Sequence, residues 1–563
     1  MRIVLTGITL TSFLLWGPLT AQIFDWAHQF GGKSLDEGFS VAVDATGDVY
    51  LTGTFEDTAD FDPGPGTNTL ISSGDMDVFI QKLDAQGNSL WVKQFGSKSD
   101  DISNALSLDD QGNIYVAGFF QDTAEYEPGA GNSALISSGS RDAFLLKIDG
   151  NGNLLWSAQF GGTGGENAYS VALDANGAVY TTGFFAGTVD FDPSANLSNL
   201  TSAGGLDVFI LKLDSLGNYI WAKQLGGTSA DFGMASAIDA SGNIYTTGYF
   251  QGTADFDPGS NTSNLSSAGS RDVFVQKMDA NGGFLWAAQI GGPSIDQALS
   301  LALNDSGEVH ITGYFQDTAD FDPGPGIMQL TSAGNSDIFV LKLDTSGNLI
   351  WAHQTGGSSN DVGNGIVADA LGNVYVTGSF QDTVDFDPEA GSYNMISAGF
   401  TDIFIQKLNN AGNFLWAQSM GGKLYDGGHS IALGYNGGIY TTGFFEDTAD
   451  FDPGMGASNL ISRGATDVFV QKMTDASFGT TTARLEDKLK LYPNPAGDRV
   501  SIDLGVSHSE VHIAVTDYSG KILNSKTFRY QQIIDLKLHQ PPGLYFLVVR
   551  YETKQTVLPL VKK

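Results

Sequence analysis

Carboxylates are the residues of this chain best equipped for chemistry, and they recur. Asp60 and Asp62 flank Phe61, and the alternation returns at Asp190 and Asp192, Asp255 and Asp257, Asp320 and Asp322, Asp385 and Asp387, and Asp450 and Asp452. Glu125 and Glu127 replace them once, keeping the charge. In an extended segment both acids point one way and the ring the other. Paired carboxylate oxygens suit a hard cation, and calcium, which takes about six to eight oxygen ligands, is the cofactor such a set would hold. The structural alternative is that each Asp caps backbone N–H groups in the turn before Pro while the Phe anchors the loop. The face carrying these twelve aspartates is the candidate binding surface.

Two further acid series accompany them. Asp36, Asp101, Glu166, Asp231, Asp296, Asp361 and Asp426 form one; Asp77, Asp142, Asp207, Asp272, Asp337, Asp402 and Asp467 form the other, each five residues before a recurrent Lys such as Lys82. Ion pairs or hydrogen bonds between repeats are the plain expectation, and cation binding the sharper one. Catalytic groups are harder to find. With no Cys there is no disulfide, thiolate site or Cys nucleophile. His28 and His353 share one repeat position, His310 replaces a recurrent Tyr, and His429 reads as a loop residue, with no metal spacing among them. No Gly-x-Ser-x-Gly elbow, phosphate loop or zinc motif is present. No carboxylate pair stands out from its repeat equivalents as glycoside chemistry would require.

Charge narrows the partners. Net charge is −35, and since 485–563 hold 11 Lys/Arg against 8 Asp/Glu, or +3, residues 1–484 carry −38. Such a body repels phosphate backbones and anionic lipid, which excludes nucleic acid and bare membrane and leaves cations, basic proteins or neutral glycans.

The elements that position these groups follow from a repeat. Trp26, Trp91, Trp156, Trp221, Trp286, Trp351 and Trp416 are spaced by 65 residues without exception. Each unit holds four strand-like runs, in the first unit Ser40 to Asp44, Val49 to Phe55, Val78 to Asp84 and Ser89 to Phe95. Turns such as Asp44-Ala45-Thr46-Gly47-Asp48 join them as hairpins. Between the second and third runs lies a stretch of roughly twenty residues, Glu56 to Gly74, read as a long loop that is functional or well packed. The chain starts with a lone Trp strand, Ile23 to Phe30, and its last unit stops after Val468 to Met473. The first strand therefore completes the last unit and closes a ring without open edges. Small residues such as Ala42 and Ala172 fit the crowded axis, and each Trp fills the widening wedge between units. The expected fold is all-β, a seven-bladed β-propeller of four-stranded blades with a small C-terminal β-sandwich.

Through Gly112-Asn113-Ile114-Tyr115-Val116-Ala117-Gly118 and its recurrence the chain resembles the bacterial β-propeller repeat family over 23–474, a resemblance that implies fold and hardly constrains function. After Thr482 the pattern changes to Leu489-Lys490-Leu491-Tyr492-Pro493-Asn494-Pro495, later Pro541-Pro542-Gly543-Leu544-Tyr545-Phe546, and a terminal Leu560-Val561-Lys562-Lys563. This tail resembles the C-terminal sorting domain of type IX secretion in Bacteroidetes. The resemblance implies the type IX machinery as a partner, and outer-membrane passage followed by release or surface attachment. Asp57-Thr58-Ala59 and its repeats resemble an O-glycosylation acceptor pattern of the same bacteria. Met1-Arg2, the apolar run Ile3 to Trp16 and Gly17 to Ala21 have the make-up of a signal peptide, leaving no transmembrane segment after its removal. The expected organisation is signal peptide 1–21, propeller 22–474, linker 475–486 and sorting domain 487–563. The expected role is a secreted or cell-surface module that binds a glycan or protein. A polymer-degrading enzyme and a structural adhesion component are the alternatives.

Overall fold

The computed structural model describes residues 21–127, 134–389, 391–434, 437–454, 456–476, 490–492, 499–508, 511–516, 522–538, 543–551 and 554–562. Nearly all of the expected signal peptide, most of the linker, and Pro493 to Pro495 and Pro541-Pro542 of the tail motifs lie outside them. The described chain divides into two compact units, Phe24–Thr474 and one that includes Asp475–Lys563.

In the larger unit β1 (Ala21–Gly32) is followed by β2 (Asp36–Val43), β3 (Val49–Asp60), β4 (Thr69–Leu83) and β5 (Ser89–Gly96). β2 to β5 pair in order as an antiparallel sheet, with Asp-x-x-Gly turns joining β2 to β3 and β4 to β5. At Asp44 the carboxylate accepts the Thr46 and Asp48 N–H groups, and Gly47 takes φ 91°. Among the described residues this four-stranded pattern occurs seven times. In the last group β1 is the outermost strand, beside Asp467–Ala476. Gln29 Nε2 donates to Ile461 O at 2.8 Å, and Thr474 Oγ1 to Asp25 Oδ2 at 2.7 Å. Inner strands touch their neighbours in a closed cycle, from β2 round to Gly427–Leu433 and back to β2.

Apolar residues on both faces of the third strand, such as Val78, Phe79 and Ile80, are fully buried because each sheet is covered on both sides. One core cluster joins Tyr440, Val468 and Val470 of the last group to Phe30, Val49 and Phe79, so the junction at the chain ends is packed like the others. Outer-strand tryptophans lock neighbours together. Trp156 Nε1 donates to Ser215 O at 3.3 Å and Trp91 Nε1 to Gly150 O at 3.2 Å, each reaching a turn of the next group.

The stretch Glu56 to Gly74 differs from expectation. It is largely a second hairpin: β3 runs on to Asp60, and Thr58, Ala59 and Asp60 pair with Ile71, Leu70 and Thr69, leaving only 61–68 as the tip. A register shift between Glu56 and Thr58 turns the strand, with Asp57 at φ 60°. The third and fourth units carry Gly187 and Gly252 at that position, at φ 68° and 73°. Asp recurs in Asp-Thr-Ala because a left-handed conformation favours Asp or Gly. The preceding outer strand then joins the hairpin, Gly31 opposite Asp60 and Gly161 opposite Asp190.

The tail unit holds a three-stranded and a four-stranded antiparallel sheet. Val500, Ile502, Ile513, Val515, Ile534, Leu547 and Val549 form its core, as a small sandwich requires. No helix among the described residues is long and apolar enough to cross a membrane.

Candidate functional site

The paired aspartates sit at the hairpin tips, and their oxygens are engaged by the tips themselves. Asp60 Oδ1 accepts the N–H groups of Asp62 at 3.1 Å and Asn68 at 2.9 Å, tying both ends of the tip together. Asp62 Oδ1 accepts the Gly64 N–H at 2.7 Å. The arrangement recurs at Asp190 and Asp192, Asp255 and Asp257, and Asp320 and Asp322. Asp385 and Asp387 and Asp450 and Asp452 repeat it again. Phe61 between them is fully buried against Phe55 and Phe79. Among the described residues no three His, Asp or Glu side chains come together to hold a metal ion.

The other two acid series meet between groups. Asp36 accepts Gly32 N–H at 2.6 Å from the preceding outer strand and Glu56 N–H at 3.3 Å from its own group, riveting the two. Asp467 accepts Arg463 N–H at 3.0 Å and Gln29 Nε2–H at 3.2 Å. Gly31 runs between these two carboxylates, and a Cβ there would lie 2.7–2.9 Å from both. Burial, with the neighbouring Asp467 charge adding to it, pushes Asp36 up to about 8. Burial likewise takes Asp101, Glu166, Asp296 and Asp426 to about 7, and Asp231 and Asp361 to about 6. One buried oxygen each of Asp77, Asp207, Asp272, Asp337 and Asp402 has no hydrogen-bond partner. The recurrent lysines serve elsewhere: Lys82 pairs with Asp48 at 3.1 Å and Lys342 with Glu308 at 2.6 Å, both in the first turn of their own group.

A different set breaks the repeat. Every inner strand carries a β-bulge, seen as register shifts at Gly38/Ser40, Ser103/Ala105, Ala168/Ser170, Gly233/Ala235, Ala298/Ser300, Gly363/Gly365 and Gly428/Ser430. The extra residues are Phe39, Asn104, Tyr169, Met234, Leu299, Asn364 and His429, one per group. A bulge leaves its residue outside the ladder and re-aims the side chain, here among the inner strands around the axis. Opposite each bulge lies a recurrent Gly, such as Gly183, whose Cβ would overlap Asn167 O.

Aromatic and cationic side chains gather at these bulges over one arc. Arg141 lies over the rings of Phe119 at 4.7 Å and Phe184 at 5.2 Å. Phe184 contacts Phe232 at 4.9 Å and Tyr169 at 5.9 Å, and Phe232 stacks on Tyr249 at 4.7 Å. Arg271 lies over Tyr249 at 5.2 Å. Across the axis His429 stacks on Phe39 at 5.1 Å, and its Nδ1–H donates to Gly38 O at 3.2 Å. Burial lowers His429 to about 4, so the ring is neutral with Nε2 left as an acceptor. It sits in the inner strand Gly427–Leu433, and not in a loop as expected. The sequence signal for this set was available as two varying inner-strand positions, the bulge residue and the one two before it (Glu37, Ile102, Asn167, Phe232, Gln297, Val362 and Gly427), among neighbours that largely repeat.

Comparison with known proteins fits these observations. The Beta-propeller repeat family matches residues 90–118, 220–252 and 350–379, and the Secretion system C-terminal sorting domain family matches 490–563. An uncharacterized WD repeat-containing protein of Acanthamoeba polyphaga mimivirus is 24% identical over 503 residues, covering 75% of this chain and 36% of that protein. The regulatory protein FlaEY of Caulobacter vibrioides is 25% identical over 328 residues, covering 55% and 32%. The chain thus spans about a third of the length of these relatives. A Bacteroides caccae protein of unknown function aligns at TM-score 0.29 and 11% identity over 61% of this chain and 89% of its own. The rhamnogalacturonan lyase YesW aligns at TM-score 0.24 and 11% identity over 94% and 90%. Structural likeness this weak bears on neither activity nor ligand. The chain carries β-propeller repeats and a type IX sorting tail, which directs it to the cell surface or the extracellular space and implies engagement with the secretion machinery.

Proposed function

We propose that this exported β-propeller repeat protein is a non-catalytic binding module whose ligand, a glycan or a protein, docks at the axial mouth formed by the inner-strand bulges. One observation carries the reading: the bulge residues Phe39, Asn104, Tyr169, Met234, Leu299, Asn364 and His429 vary on a scaffold that otherwise iterates. One ligand needs one asymmetric constellation, and variation at the bulges, with that two residues before them at Glu37, Ile102, Asn167, Phe232, Gln297, Val362 and Gly427, supplies it. Likeness to a WD repeat-containing protein supports a scaffold role. The closed cycle of four-stranded groups supports seven blades over 22–474, followed by a linker at 475–486 and the sorting domain at 487–563, with 1–21 removed on export. The hairpin-tip aspartates enter as fasteners of the hairpins that join the outer strands, and calcium as an arm of the test.

The test is a glycan and peptide array with the wild-type chain and with Tyr169→Ala/Phe232→Ala, each with and without EDTA. Binding that is lost in the double variant supports the mouth as the site. Binding that survives it but fails in EDTA moves the site to the aspartate tips. Turnover of any polymer by the wild-type chain sinks the non-catalytic reading.

A further inference from the structure

We infer that the axial mouth takes an anionic ligand, a glycan bearing uronic acid carboxylates, gripped by Arg141 and Arg271. The inference rests on the mouth being the binding site and names the chemistry it selects. Three arginines occur in residues 24–474, and they are used differently. Arg463 is committed: its Nη1 lies 3.4 Å from Asp60 Oδ2 and donates to Gly31 O at 3.1 Å. The guanidinium groups of Arg141 and Arg271 make no hydrogen bond and no ion pair among the described residues, while their backbones do, Glu166 N–H donating to Arg141 O at 3.1 Å and Asp296 N–H to Arg271 O at 2.9 Å. Each rests on aromatic faces, Arg141 on Phe119 and Phe184 and Arg271 on Tyr249, which hold the guanidinium flat and leave its N–H fork open. Both are partly exposed.

A planar fork with no internal partner is a carboxylate site awaiting its carboxylate, since the bidentate pair is the strong form of this bond. The two arginines stand two groups apart and are joined by the continuous ring contacts Phe184 to Phe232 to Tyr249. That spacing suits a chain bearing a carboxylate at intervals. The half-buried Tyr169 and Phe232 beside them offer faces on which the C–H surfaces of sugar rings lie. The net charge of −35 disfavours an acidic protein, whose whole surface would be repelled, far more than a slender glycan whose charges meet the mouth alone. The other charged groups around the site are the junction acids, Glu166 and Asp142 by Arg141 and Asp296 and Asp272 by Arg271, with Glu166 and Asp296 each raised by burial to about 7, while the neutral Tyr249 and Tyr314 also adjoin Arg271.

The experiment measures binding of an oligogalacturonate and of its methyl ester to the full exported chain by calorimetry. The free acid is expected to bind, the ester at least about tenfold more weakly, and added salt to weaken the acid. Arg141→Gln and Arg271→Gln are each expected to lose about tenfold, and Arg141→Lys, which keeps charge and fold, to lose less. Equal affinity for acid and ester, an unchanged Arg141→Gln/Arg271→Gln variant with native thermal stability, or preference for a polyglutamate peptide overturns the inference. If a neutral glycan binds instead and Tyr169→Ala/Phe232→Ala abolishes it, the charge inference falls while the mouth stands as the site. If those variants bind every probe as the wild type does, both fall.

Discussion

The hairpin tips and the axial bulges are built from the same repeat yet differ in what they keep. At the tips Asp60 and Asp62 return almost unchanged from group to group and spend an oxygen each on backbone N–H groups of their own loop. At the bulges only Asn104 and Asn364 share a type: the backbone kink is constant while its side chain passes from Phe39 to Tyr169 to His429. In an iterated scaffold, recurrence reports what every junction needs in order to form, and variation at a fixed geometry reports what is presented to a partner. On the proposed function the tips are construction, and the bulges are display.

The largest effect that tests this division comes from acids that are construction throughout. Burial holds Asp36 at about 8, Asp101, Glu166, Asp296 and Asp426 at about 7, and Asp231 and Asp361 at about 6. An unfolded carboxyl titrates near about 4. The folded ring therefore binds more protons, and the associated stability is complete below about pH 4 and lost as pH rises through the 6–8 range of these groups. Because seven junctions act together, the thermal midpoint should fall clearly between pH 5.5 and pH 8.5. A midpoint that holds or rises over that interval would show the pairs to be ionised at no cost. Next in size is Gly183→Ala, whose Cβ would overlap Asn167 O across the bulge. A loss of about 4 kcal/mol in chemical unfolding is expected, and a loss under about 1 kcal/mol would mean that the bulge relaxes freely.

Much of the construction was legible in the sequence because each junction writes its needs many times. The Trp spacing, the turn glycines and the offset between first and last units all follow from strands that must pair and edges that must close. The second hairpin was not legible. Thr58 to Asp60 and Thr69 to Ile71 are only three residues each, and the preceding Gly31-Gly32 strand end adds to them from another unit. The bulges were missed for a related reason. A bulge is a property of two strands in register, and the residue it re-aims carries no type of its own, so the expected inner run began at Ser40, one residue past the bulge at Phe39. His429 read as a loop residue because the glycines before it resemble a turn.

A moderate effect separates the two accounts of the tips. Asp255→Ala removes the acceptor for the N–H groups of Asp257 and Ser263. Loss of two bonds to a charged group should cost about 2 kcal/mol, and EDTA should leave the wild-type midpoint unmoved. A midpoint that drops on chelation would return a cation to the tips and blur the contrast between the two regions.

The smallest effect is the sharpest statement of the contrast. Leu299 occupies the bulge of the fifth inner strand, half-buried and outside the ladder, so neither backbone pairing nor a side-chain hydrogen bond depends on it. If bulge residues are display, Leu299→Ser should change unfolding free energy by no more than about 0.5 kcal/mol. Asn364 is the control, since its Nδ2 donates to Gly428 O of the neighbouring inner strand at 2.9 Å. Asn364→Ala should therefore cost about 1 kcal/mol, a bulge residue partly drawn into construction. Urea unfolding of the two variants side by side decides the point: equal losses would mean that position in the bulge, and not the contact made from it, sets the cost, and the separation of display from construction would then fail at the ring where it matters most.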